Sequence, residues 1–200
     1  MRLCVFLCLP VWLAVHGVTS SAAESKRHAV IAAVATGVFE RGGGENRLFP
    51  AEVVAVLGQF GDKVLVKRLG EQPSFETRSR VENERAKAAT WVPASLLREP
   101  KTFRKLASWR GETQFISCAA SCDSGTDFVF SRDASFRAVY SAGNSSDSPK
   151  PVKWSGHLYR SGDLLWARPK RKNAQPEPDS VFHVRPDGTL CTPVECFGNL

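Results

Sequence analysis

The chain carries 27 Lys and Arg against 20 Asp and Glu over 200 residues, a formal net charge of +7, and 42% of its side chains are hydrophobic. That length suits one large or two small domains with hydrophobic cores, and two small domains is the preferred reading. The charge surplus favours contact with acidic surfaces, yet it also does no more than keep many exported proteins in solution, so charge alone assigns no partner.

Arg2, the apolar run from Leu3 to Val15 and the small residues Ser21, Ala22 and Ala23 read as a secretory signal peptide over 1–23. Pro10 interrupts the run, which falls short of the ~20 apolar residues a spanning helix needs, as does every later segment. The expected result is cleavage near Ala23 and a mature protein that is secreted or held in the lumen of a secretory organelle. Glu195 to Leu200 carry neither a retention tetrapeptide nor a lipid-anchor tail, which agrees with export. Removal of 1–23 takes Arg2, Cys4 and Cys8, leaving 26 basic against 20 acidic residues and a formal charge of +6.

Residues 28–100 read as short strands. Ala29 to Phe39 (AVIAAVATGVF) is apolar but only eleven residues long, and fits one buried strand. Leu48 to Leu57 (LFPAEVVAVL) puts Phe49, Ala51, Val53, Ala55 and Leu57 on one face, and Lys63 to Leu69 pairs back after a turn at Gly58 to Asp62. Phe75 to Val81 alternates, with Glu76, Arg78 and Arg80 facing water. Glu82 to Ala89 (ENERAKAA) has helix-forming composition and interrupts the strands as a loop or single helical turn.

Thr90 to Glu99 (TWVPASLLRE) resembles the closing motif of Src-homology-3 domains, in which an apolar-Pro-small-Ser segment forms a short helical turn before the last strand. The preceding hairpin, Phe49 to Val56 with Asp62 to Lys67, is similar to the second and third strands of Tudor and Agenet domains. Both resemblances imply a small five-stranded barrel over residues 28–100. The acidic loop and tandem tryptophans of true Src-homology-3 domains are missing: Gly42 to Asn46 occupies the first loop and Trp91 is the only tryptophan of the region. A methyl-lysine cage needs several convergent rings; Phe39, Phe49, Phe60 and Trp91 are the candidates, with core packing the expected role of each.

Lys101 to Trp109 (KTFRKLASW) spaces Phe103, Leu106 and Trp109 by three, which predicts a short linking helix within a junction at 101–112. Residues 113–200 then read as successive hairpins. Phe128 to Tyr140 turns at Ser131 to Ser135, Trp154 to Arg168 at Arg160 to Asp163, and Val181 to Cys191 at Pro186-Asp187-Gly188. Such a meander tends to curl into a barrel or half-barrel. Its order of aromatic and turn residues generically resembles META-type and lipocalin-like β-domains, which implies a compact antiparallel fold with a shallow cavity and no catalytic residue. The fold class expected overall is mainly β: signal peptide, small barrel, and disulfide-stapled antiparallel meander.

Cys118, Cys122, Cys191 and Cys196 survive signal cleavage, an even number in an oxidising compartment, so two disulfides are expected. Three pairings are open. At least one long-range pair is favoured, since a staple that closes a longer loop stabilises more. A zinc site is disfavoured by the C-x3-C and C-x4-C gaps and by the compartment. Asn144 opens an N-glycosylation sequon in a polar loop.

The conspicuous charge run is Arg168, Lys170, Arg171 and Lys172 around Pro169. It reads as an exposed loop without specific role, as a binding site for sulfated glycan or another polyanion, or as an Arg-x-Lys-Arg cleavage site made poor by Lys172. Catalysis finds little support. His28, His157 and His183 show no metal-ligand spacing, no nucleophile elbow or phosphate loop is present, and no metal or cofactor is expected. The function expected is non-enzymatic binding of a protein or acidic glycan, not nucleic acid, with Trp91, Trp154 and Trp166 as anchors if exposed and core if buried. A small-molecule or lipid carrier is the alternative, and it requires an apolar cavity in the second half.

Overall fold

The computed structural model describes residues 27–39, 45–69, 88–118, 124–142, 150–193 and 196–197. The predicted signal segment, the strand at 75–81, most of 82–89, Cys122 and Asn144 lie outside the described residues. Two antiparallel sheets account for nearly everything described, and no described helix is long and apolar enough to cross a membrane.

The first sheet contains β1 (His28–Ile31), β2 (Ala35–Phe39), β3 (Glu45–Leu48), β4 (Val53–Phe60), β5 (Lys63–Arg68), β6 (Thr90–Pro93) and β7 (Leu97–Arg98), in the order β3-β2-β6-β5-β4-β1-β7. Alternation sets its inner face. Val64 and Val66 of β5 join Ala29, Ile31, Ala35, Leu48, Val54 and Val92 in a core, while Lys63 and Lys67 face water. After β6 a 3-10 turn, Ala94–Leu96, reverses the chain, and β7 pairs with β1.

Two strands expected to be continuous are broken. Ala29 to Phe39 divides into β1 and β2 at Ala32 to Val34. Leu48 to Leu57 divides at a turn where Ala51 takes φ 68 and donates its N–H to the Ile31 carbonyl. Ala51 is therefore not on a common strand face with Val53 and Leu57. The register also slips between Val56 and Gly58, making Leu57 the extra residue of a bulge, and β4 runs on through Phe60 to a two-residue turn at Gly61 and Asp62.

The second sheet is a meander of β9 (Thr113–Cys118), β10 (Ser124–Phe130), β11 (Ser135–Ala142), β12 (Val152–Ser161), β13 (Leu164–Pro169), β14 (Val181–Val184), β15 (Leu190–Cys191) and β16 (Cys196–Phe197). β8 (Arg104–Lys105) pairs beside it on β12. The three expected hairpins are present, with Asp133 and Asp187 holding their turns by accepting the backbone N–H of Ser135 and Thr189. Phe115 of β9 lies 4.8 Å from Phe197 of β16, so the two end strands face each other across a nearly closed barrel.

Phe115, Phe128, Phe130, Phe136 and Phe182 fill that interior with ring-on-ring contacts. Gly156 is required beside them: a Cβ there would stand 1.9 Å from the Arg168 carbonyl oxygen and 2.6 Å from the Phe136 ring.

The linking helix predicted at 101–109 does not form. Its three apolar residues serve two different cores: Phe103 enters one, whereas Leu106 and Trp109 pack on the other, so no single helical stripe can satisfy them. The segment is instead a 3-10 turn, Pro100–Thr102, followed by extended chain, with Leu106 N–H donated to the Leu158 carbonyl and Trp109 N–H to that of Arg132.

The core that Phe103 enters joins the sheets. Val30, Ala51 and Val53 from the first meet Leu164, Trp166, Ala174 and Val181 from the second. β4 is thus buried on both sides where it begins, Val54 facing its own sheet's core and Val53 facing the other sheet. His28 adds a polar seam, its Nδ1 2.9 Å from the Pro176 carbonyl and its N–H directed at Gln175.

Cys191 pairs with Cys196, directly opposite in the β15–β16 ladder. This corrects the expectation that a long-range disulfide ties the end of the chain to Cys118 or Cys122: register places the two thiols of one hairpin side by side, and that proximity outweighs the entropy argument.

Candidate functional site

Three surfaces bear on function: the aromatic seam between the sheets, the outer face of the first sheet and the outer face of the second. Trp166 belongs to the seam. It is 0% exposed, edge-on to Phe103 at 5.6 Å, and tilted against Tyr159 at 6.0 Å. An exposed anchor it is not; it is core. Its Nε1 is buried and has no partner among the described residues. Trp154 is half-buried against the phenylalanine core, edge-on to Phe128. Trp91 is half-buried on the outside of the first sheet.

The register defines that outside. Val38, Trp91, Leu65 and Gly58 form one row across β2, β6, β5 and β4, and Pro93, Lys63 and Phe60 form the next. Phe60 is 82% exposed and Val38 53%; Leu57, at the bulge, is 42% exposed. Core packing, the role expected for Phe60, is therefore overturned. Register places Phe60 beside Lys63 and Pro93 on the outer face at the end of β4, turned away from the core that Val64 and Val92 enter. Phe49 is half-buried beneath the Arg47 guanidinium, 5.2 Å from its ring centroid. The Phe39 side chain is not described.

The charge run divides by environment. Arg168 is half-buried, its guanidinium 5.2 Å from the ring centroids of both Tyr159 and Trp166. Arg171 is ion-paired with Glu177, while Lys170 and Lys172 are exposed. It is not four equivalent loop cations.

His28, His157 and His183 fall on β1, β12 and β14. Among the described residues no group of three or more His, Cys, Asp or Glu side chains is placed to hold a metal. The Asp133 carboxyl lies below the ordinary carboxylate range chiefly because it accepts hydrogen bonds from Ser135, and only last through His157.

One polar pair that the sequence reading passed over is the most deeply buried of the molecule's described ion pairs. Arg68 closes β5 and Glu52 precedes β4. The signals were a lone acid inside LFPAEVVAVL and an arginine ending KVLVKR. The pair organises the corner between β3 and β4, Glu52 accepting the Phe49 N–H and Arg68 donating to the Arg47 carbonyl.

No protein-family model, curated protein or solved structure matches the chain, so the functional reading rests on these surfaces.

Proposed function

We propose that this chain is an exported, non-enzymatic binding protein that docks a protein partner on the outer face of β4, β5 and β6. The carrying observation is Phe60, a phenylalanine 82% exposed at the end of β4, in register with the exposed Pro93 and one row from Trp91 and Val38. Aromatic side chains standing clear of the surface concentrate interface energy, and Lys63 between them gives the face a polar interruption.

The first half is read as a small barrel of Src-homology-3/Tudor architecture. Its support is the run of β4, β5 and β6 followed by a 3-10 turn and a last strand returning to β1. Against the carrier alternative stands the second barrel's interior, occupied by its own phenylalanine rings.

The test has two arms. Expression of the tagged chain in a secretory host should yield an exported form whose N-terminus lies near Glu24 and which loses mass on removal of N-linked glycan from Asn144; retention in the cytosol with an intact Met1 refutes export. The exported protein should capture a partner that the Phe60→Ser variant, folded as the wild type, fails to retain. Equal capture by both moves the site elsewhere.

A further inference from the structure

On the outer face of the second sheet, register assembles a cationic lattice that the linear sequence scatters over thirty-odd residues. His157 lies between Ser135 and Arg168, and Arg137 lies opposite Ser155. Lys170 N–H reaches the Ser155 carbonyl, continuing that second row, and Lys153 lies opposite Val139 in the third. The inner face of the same strands is fixed by Phe136, Ala138, Leu158 and Ala167 in the core, so Arg137, Lys153 and Arg168 point outward. Strands about 4.8 Å apart and same-face neighbours about 7 Å apart spread the four cations over about 14 Å, a span that an extended ligand covers and a single anion does not.

Their charge is unspent. None of Arg137, Lys153, Arg168 and Lys170 is ion-paired among the described residues. The carboxylates nearest in register, Asp127 across Val139 from Lys153 and Asp133 in the turn before Ser135, form no ion pair with these cations among the described residues; their hydrogen-bond partners are the neutral Gln114 and Ser135. Arg168 is the ordered member. Stacked over Tyr159 and Trp166, its guanidinium is held before any ligand arrives, which lowers the ordering cost of binding.

We infer that the outer face of β11–β13 is a binding surface for a sulfated polysaccharide, with Arg137, Lys153, Arg168 and Lys170 as its contacts. Sulfate esters accept paired N–H donors from guanidinium and point-charge contacts from ammonium groups, and a repeating chain of them complements a lattice rather than a pocket. Single-stranded nucleic acid fits less well. It binds through bases stacked on open rings, and the rings here are closed, Trp166 by burial and Tyr159 by Arg168. This surface is separate from the face carrying Phe60, so either assignment can fail alone.

Retention of the full exported chain on immobilised heparin, at matched salt, tests the inference. The double variant Arg137→Gln/Lys153→Gln removes two exposed charges without touching a core side chain and should weaken binding about tenfold, as two exposed charge contacts predict. Lys63→Gln/Lys67→Gln removes the same charge from the first sheet and should leave retention unchanged. Equal losses in both variants reduce the effect to net charge and overturn the site. So does failure of the wild type to bind heparin at physiological salt, or its preferential displacement by single-stranded DNA or by phosphatidylserine vesicles. Near-ultraviolet circular dichroism of each variant confirms that its aromatic core is intact.

Discussion

Arg68 grips Glu52 with two donors, Nε to Oε2 at 2.7 Å and Nη2 to Oε1 at 3.1 Å, although the two side chains are only 2% and 3% exposed. The third donor group, Nη1, is buried without a partner among the described residues. Such a pair is stabilising only relative to half of itself. Arg68→Met should cost about 4 kcal/mol by stranding a buried carboxylate, whereas Glu52→Leu/Arg68→Met together should recover most of that loss. Urea midpoints of the two variants decide it; a double variant no more stable than Arg68→Met contradicts the account.

Glu52 also sets a pH dependence. Burial raises its carboxyl above the ordinary 4.5, the opposing pull of Arg68 being the smaller influence. A folded-state pKa above the unfolded value means that the folded form binds the proton more tightly. The contribution is therefore fully present below pH 4.5 and is lost as pH rises through the raised folded value. Glu52→Gln should remove that component, flattening the stability profile across this window; an unchanged slope shows that Glu52 does not titrate there.

Gly156→Ala tests the packing of β12 on β13. The added carbon meets backbone at Arg168 as well as the Phe136 ring, and backbone cannot rotate away. A loss of about 3 kcal/mol is expected, measured by thermal or denaturant unfolding. By contrast, Gly162→Ala has open space around its Cβ, and its penalty comes only from the left-handed φ of 58. That variant should lose about 1 kcal/mol.

Trp166→Phe should be milder than its complete burial suggests. It removes the indole N–H that has no partner among the described residues, offsetting part of the lost ring contact, so a cost of about 1 kcal/mol is expected against about 4 for Trp166→Ala. The same two proteins report on the seam by fluorescence, since a dry indole emits at short wavelength and its loss shifts the remaining emission to the red.

Reduction of Cys191–Cys196, or Cys191→Ser/Cys196→Ser, opens a staple with a sequence separation of 5. Loop entropy for so short a closure gives about 2 kcal/mol, well under the value for a long-range bridge. A much larger loss would show that Cys191 matters mainly as a buried side chain of the hairpin.

What the sequence made legible was local. Pro186-Asp187-Gly188 and Gly162-Asp163 bend the chain through their own backbone preferences, so the hairpins they close could be read from a few residues. Contacts that depend on a distant surface were opaque. Phe103, Leu106 and Trp109 have helical spacing, yet that spacing holds no record of two cores lying on either side of the segment. Alternation puts Val53 on one strand face, but nothing local says that the opposite face, which carries Val54, is covered as well. The cationic face was illegible for the same reason: Arg137 and Lys153 become neighbours only through the β11–β12 register, while the contiguous run 168–172 drew attention although Arg171 is tied to Glu177 and Arg168 to two rings.

The seam built by Val30, Val53, Phe103 and Trp166 makes the two halves poor candidates for modular exchange. A chain cut between Arg98 and Arg104 severs each sheet from the side chains that keep one of its outer faces dry, and grafting either half onto another scaffold carries that wet apolar scar with it.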